Sequence, residues 1–74
     1  MLIILNFHNR PPSNYEAQNW PQVGEEVSLR DERNADTTND VIKYFVAEVQ
    51  HEIYLDRQGV VASQIVNVNL CHHR

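Results

Sequence analysis

Apolar and polar positions alternate over most of this chain, and the alternation has the period of a strand. In residues 1–8, Ile3, Leu5 and Phe7 interleave with Ile4, Asn6 and His8, so a first strand is expected there. Asn9-Arg10-Pro11-Pro12-Ser13-Asn14 should end it, because proline lacks the N–H that a ladder needs and restricts the residue before it. Residues 9–20 read as a loop carrying Tyr15 and Trp20; a helical turn there would be too short to stand alone. Pro21-Gln22-Val23-Gly24 predicts a tight turn, and residues 25–30 after it place Val27 and Leu29 on one face of a second strand. In residues 31–40 only Ala35 is apolar, which predicts a solvated loop.

The longest apolar-rich run, residues 41–56, is ambiguous at first sight. Val41, Phe45, Val49 and Ile53 recur at helical spacing, with Asp40 placed to cap a helix and Gly59 to end it. A helix at about residues 40–56 is therefore the alternative. However, β-branched and aromatic residues make up half of the run, and Val41, Phe45, Ala47, Val49, Ile53 and Leu55 form one face at period two. Residues 60–70 alternate likewise, with Val60, Ala62, Val66, Val68 and Leu70 on one side. Asp56-Arg57-Gln58-Gly59 has the chemistry of a hairpin loop. Closing the hairpin there sets Leu55 against Val60, Ile53 against Ala62, Val49 against Val66, Ala47 against Val68 and Phe45 against Leu70. His51 then falls opposite Gln64, a polar pair in an apolar row. The other face pairs Tyr44 with Cys71, Glu48 with Asn67 and Tyr54 with Val61.

The expected fold is all-β: a small, strongly bent antiparallel sheet closing into a barrel of about four or five strands. Seventy-four residues suffice for a single domain, residues 1–74, with one modest core. A single cysteine excludes an internal disulfide, so packing or self-association must supply the stability. The net charge of -4 repels phosphate backbones and argues against nucleic acid. Met1-Leu2-Ile3-Ile4-Leu5 is too short for a membrane span and lacks the cationic flank of a signal peptide. The cytoplasm is the expected location.

The succession Pro21-x-x-Gly24-Glu25-x-Val27, then Tyr44-x-Val46-x-x-Val49-x-His51, then Val66-x-Val68-x-Leu70 resembles small, largely uncharacterised SH3-like β-barrel proteins of phages and mobile elements, of the integron gene cassette type. The resemblance spans residues 21–70 with 31–40 as an insertion. It implies an SH3-like barrel and self-association, and no particular activity. If that family's Tyr-x-Val-x-x-Val spacing hides a bulge near Ala47, the hairpin changes sides halfway along.

No motif in the chain names a reaction. Cys71-His72-His73 offers Cys71 and His73 on one face, but two ligands do not make a metal site and a solvated tail is the simpler reading. Cys71 and His72, as strand neighbours, point to opposite faces and do not make a nucleophile and base. Carboxylates Glu48 or Glu52 approaching Asp56 or Glu26 would be needed for acid–base work, so a small enzyme with a carboxylate or His site is the second alternative. No catalytic residue and no cofactor is assigned. The favoured reading is a homo-oligomeric, dimeric binding or adaptor protein, with a purely structural self-assembling protein as its rival. Tyr15, Trp20, His51 and Gln64 are the candidate ligand-binding residues, suited to a basic peptide or a small molecule. Trp20 could equally plug the core, and His51 could be a satisfied core or rim histidine. Tyr44, Val46, Tyr54, Val61 and Ile65, expected on one exposed face, are the candidate self-association surface.

Overall fold

The computed structural model describes residues 1–30 and 41–72; the predicted loop at 31–40 and His73 lie outside them. Among the described residues every regular element is a strand: β1 (Leu2–Asn6), β2 (Ser13–Glu16), β3 (Glu26–Arg30), β4 (Val41–Leu55) and β5 (Val61–Cys71). The helix alternative for residues 40–56 is thereby set aside for the part described, since residues 41–55 are one strand. The strands form a strongly curled, half-barrel sheet in the order β2-β1-β5-β4-β3. No helix among the described residues is long and apolar enough to cross a membrane.

Two features differ from the expected sheet. A short strand, β2, lies inside the predicted loop at 9–20 and pairs with β1, Ile3 opposite Tyr15. Moreover, β1 runs parallel to β5, Ile3 beside Val66 and Leu5 beside Val68, so the sheet is mixed. This sets the first strand inside the sheet, between β2 and the C-terminal half of β5, with Ile3 fully buried, a setting that suits a strand apolar on both faces.

The hairpin forms, but its register is not the simple one. Asp56 organises the tip: its Oδ1 accepts hydrogen bonds from the Gln58 N–H at 2.8 Å and the Val60 N–H at 3.0 Å. Gly59 follows with φ of 82°, a conformation glycine adopts without strain. Leu55 therefore faces Val61, not Val60. Two register shifts follow, between Tyr54 and Leu55 and between Val46 and Glu48. The first leaves Ala62 as an extra residue on β5, so Val49 meets Val68, His51 meets Val66 and Ile53 meets Gln64. The predicted His51–Gln64 pair is corrected accordingly. The second leaves Ala47 as an extra residue on β4 and returns Val46 to Leu70.

That second bulge decides the core. An extra residue reverses which side chains point inward, so Tyr44 and Val46 replace the expected Phe45 and Ala47. Tyr44 and Val46 join Ile3, Val66, Val68 and Leu70 as the buried residues. Leu5, Phe7, Ala17, Trp20, Val27, Leu29 and Val49 pack around them. The segment from β2 to β3 joins opposite edges of the sheet and lays Ala17 and Trp20 against the core, covering the concave side. Gly24, with φ of 90°, then turns the chain into β3 and donates its N–H to the Val46 carbonyl at 2.9 Å.

The molecule is elongated. Its radius of gyration is 14.7 Å, against about 11 Å for a compact chain of this length. The distal hairpin extends past the flanking strands: β1 pairs only with residues 65–69 of β5, and β3 only with residues 41–45 of β4.

Replacing Ile3, which is fully buried, by Ala should cost about 2–5 kcal/mol of subunit stability by loss of transfer energy and creation of a cavity. Val23→Ala, at a residue 64% exposed, should stay within about 0.5 kcal/mol. Urea unfolding of the two variants followed by circular dichroism checks the contrast.

Candidate functional site

Side chains on one face of the sheet line up across it in rows set by the register. One row runs Tyr15, Ile3, Val66, His51 across β2, β1, β5 and β4. Its middle members are buried, and its outer members, Tyr15 and His51, are exposed. With adjacent strands about 4.8 Å apart, Tyr15 and His51 sit at opposite rims of the concave face. Trp20 reaches one rim only: its ring meets the His51 ring edge-on, centroids 5.3 Å apart and planes at 72°. Gln64 lies on the same face, two residues before Val66, opposite Ile53. The structure thus brings Trp20 and His51 together, leaves Gln64 beside them and separates Tyr15.

Trp20 packs on the core and also contacts His51. It is half-buried against the core cluster and also forms a wall beside an exposed histidine. An indole face and an imidazole at the edge of a concave surface suit a ligand with a flat or cationic group.

The convex face carries a hydrogen-bonded polar row. Asn6 Nδ2 donates to Asn67 Oδ1 at 3.2 Å and Asn69 Oδ1 at 3.1 Å, and Asn67 Nδ2 donates to Glu52 Oε1 at 2.7 Å. The Tyr54 hydroxyl donates to the other Glu52 oxygen at 2.5 Å. Accepting that proton, and opposing a phenolate with its own charge, Glu52 holds the Tyr54 pKa above its usual 10.0. Glu52 is therefore committed to Asn67 and Tyr54, and Glu26 pairs with Lys43 at 3.5 Å.

The proposed self-association surface does not survive as a single face. Tyr44 and Val46, turned inward by the bulge at Ala47, are 0% and 2% exposed, so they are corrected to core residues. Tyr54 stays on the convex side opposite Ser63, with Ile65 opposite Glu52, whereas Val61 faces Leu55 on the side of Ile53. The hairpin arm gathers most of the exposed large apolar side chains of the described residues, Ile53, Tyr54, Leu55, Val60 and Val61, on both of its faces; Met1, Tyr15, Val23 and Ile42 are exposed elsewhere.

At the opposite end the structure builds a cluster that the sequence hid. Tyr44 stacks on His72, centroids 4.6 Å apart, and takes the edge of Phe7 at 5.0 Å. Asn9 accepts the Tyr44 hydroxyl proton at 3.2 Å and lies 3.2 Å from His72 Nε2, while His8 meets His72 edge-on. The expected solvated tail is thus anchored as far as His72, and Cys71 directs its thiol at the Phe45 carbonyl, 3.6 Å away. Because Phe7 to Asn9 and His72 lie at opposite ends of the sequence, no local spacing announces this contact. Among the described residues no group of three or more His, Cys, Asp or Glu side chains is placed to hold a metal. Comparison with protein-family models, curated proteins and solved structures yields no match to this chain.

Two spectroscopic results should follow from this geometry. Removing the imidazole in His51→Ala should raise Trp20 emission and shift it to longer wavelength, as the indole loses a covering ring. Glu52→Gln should lower the pH at which Tyr54 ionises, read as the difference in phenolate absorbance between variant and parent. The sign for stability is set by the same contact: a raised folded-state pKa stabilises below the unfolded value and is lost as pH climbs through the raised one.

Proposed function

We propose that this protein is a small homo-oligomeric binding or adaptor protein that works as a dimer. The observation that carries this reading is the hairpin arm, where Ile53 is 58% and Leu55 60% exposed. A two-stranded ribbon without a third strand or a covered face is marginal in water. An arm with large apolar side chains on both faces has every reason to be covered. Self-association supplies the missing contacts without requiring another protein.

Ligand binding is assigned to the concave rim at Trp20 and His51, with Gln64 at its border and Tyr15 across from it. The ligand class that suits an aromatic wall on an acidic chain is a basic peptide or a small cationic molecule. The SH3-like barrel and an origin in a mobile element are proposed on the residue pattern, and a cytoplasmic location on the single cysteine, which excludes an internal disulfide. A purely structural role remains the second reading; the same exposed arm supports it.

Sedimentation equilibrium at micromolar concentrations should report a dimer. Leu55→Asp, which puts a charge on an apolar side chain 60% exposed in the subunit, should raise the dissociation constant by about tenfold or more with an unchanged strand spectrum. A monomer in the parent protein at all concentrations would sink the reading. Titration of Trp20 fluorescence with a lysine- and proline-rich peptide separates the two roles: a saturable change supports binding, and none supports the structural role.

A further inference from the structure

We infer that the dimer forms by antiparallel pairing of the free edge of β4 with the same edge of a second copy, about a two-fold axis passing through His51. The inference rests on the self-association proposed above and specifies its geometry.

The free edge has defined ends. On one side β4 pairs with β5 from Phe45 to Leu55; on the other, β3 pairs with residues 41–45. Val46 is also taken, since its N–H donates to the Glu25 carbonyl at 3.0 Å and its carbonyl accepts the Gly24 N–H at 2.9 Å. From residue 47 to the strand end at Leu55, no strand among the described residues pairs with this edge. The backbone N–H and C=O groups of this stretch that β5 does not use are a template for another strand. The middle residue of 47–55 is His51. A two-fold axis that uses the whole free edge must therefore pass through it.

The side chains select the same axis independently. Pairing about His51 sets Val49 against the second copy's Ile53 and Ala47 against its Leu55, extending the apolar concave row. On the convex face it sets Glu48 against Tyr54 and Gln50 against Glu52, so no like charges meet. Moving the axis by one residue sets Glu48 against Glu52, or Glu52 against itself and Glu48 against Asp56. Directly opposed like charges destabilise a sheet pair. The chain is thus complementary to itself in the register that its free edge permits, which commits the occupant to a second copy. The exposed Val23, just before Gly24, would then lie beside the second copy's arm tip, where Leu55 and Val60 are exposed.

Cysteine cross-linking with Cys71→Ser as background tests this. Opposed residues of an antiparallel pair lie about 4.5–5.5 Å apart at Cα, within the reach of a disulfide, and residues displaced by two positions do not. His51→Cys should give a disulfide-linked dimer on mild oxidation, about tenfold or more faster than Ile53→Cys. Because His51→Cys removes a contact to Trp20, a second arm mixes Gln50→Cys with Glu52→Cys, which should link to each other and neither to itself. Linkage of Ile53→Cys in preference to His51→Cys overturns the axis. No linkage in any arm, with a dimer still present in sedimentation, overturns edge pairing and leaves self-association standing. A monomer throughout overturns both.

Discussion

One extra residue, Ala47, governs how this chain folds. The β4–β5 ladder is the longest pairing in the molecule, and a bulge at Ala47 divides it into halves that use opposite alternations. Proximal to the bulge, Tyr44 and Val46 point inward; distal to it, Val49 and His51 do. Without the reversal, Tyr44 would present its ring to solvent and Phe45 would meet β3 from the wrong side. The bulge also increases local twist, and the sheet curls where β3 takes over the outer edge of β4.

The same division separates a supported half from an unsupported one. Proximally, β1 and β3 flank the hairpin, Trp20 and Ala17 close over it, and the buried Tyr44 hydroxyl is satisfied by Asn9. Burying a tyrosine is favourable when its polar tip finds a partner, and among the described residues no buried side-chain nitrogen or oxygen lacks one. Distally the ribbon has only its own ladder and the Asp56-centred tip. Its side-chain chemistry does not match that exposure, and the mismatch is the ground on which the dimer is proposed.

Much of this was legible beforehand. The period-two alternation identified all four longer strands, and the turn residues Gly24 and Gly59 sit where positive φ is needed. The face of Val66, Val68 and Leu70 was also readable, because a slip of two residues in register leaves faces unchanged. The polar turn before β3 and the Trp20–His51 side of the concave face were likewise anticipated as separate pieces. The bulge at Ala47 is the one to which the Tyr-x-Val-x-x-Val spacing pointed as a condition under which the hairpin changes sides. Alternation alone reads Tyr44 and Val46 as outward, and the extra residue Ala62, which depends on counting across the hairpin, has no signature in the sequence. The parallel pairing of β1 with β5, β2 within a polar segment, and the stacking of His72 on Tyr44 are contacts between distant parts of the chain, which local pattern does not encode.

In the proposed dimer the hairpin is completed in two different ways: by its own sheet before the bulge, and by a second copy after it. Residue-resolved amide hydrogen exchange over a dilution series measures both at once. Protection of residues 66–70 should be independent of concentration, while amides of residues 48–54 on the free edge should be protected when the protein is concentrated and exchange freely when it is dilute. Equal exchange from residues 48–54 at every concentration, whether fast or slow, would contradict it.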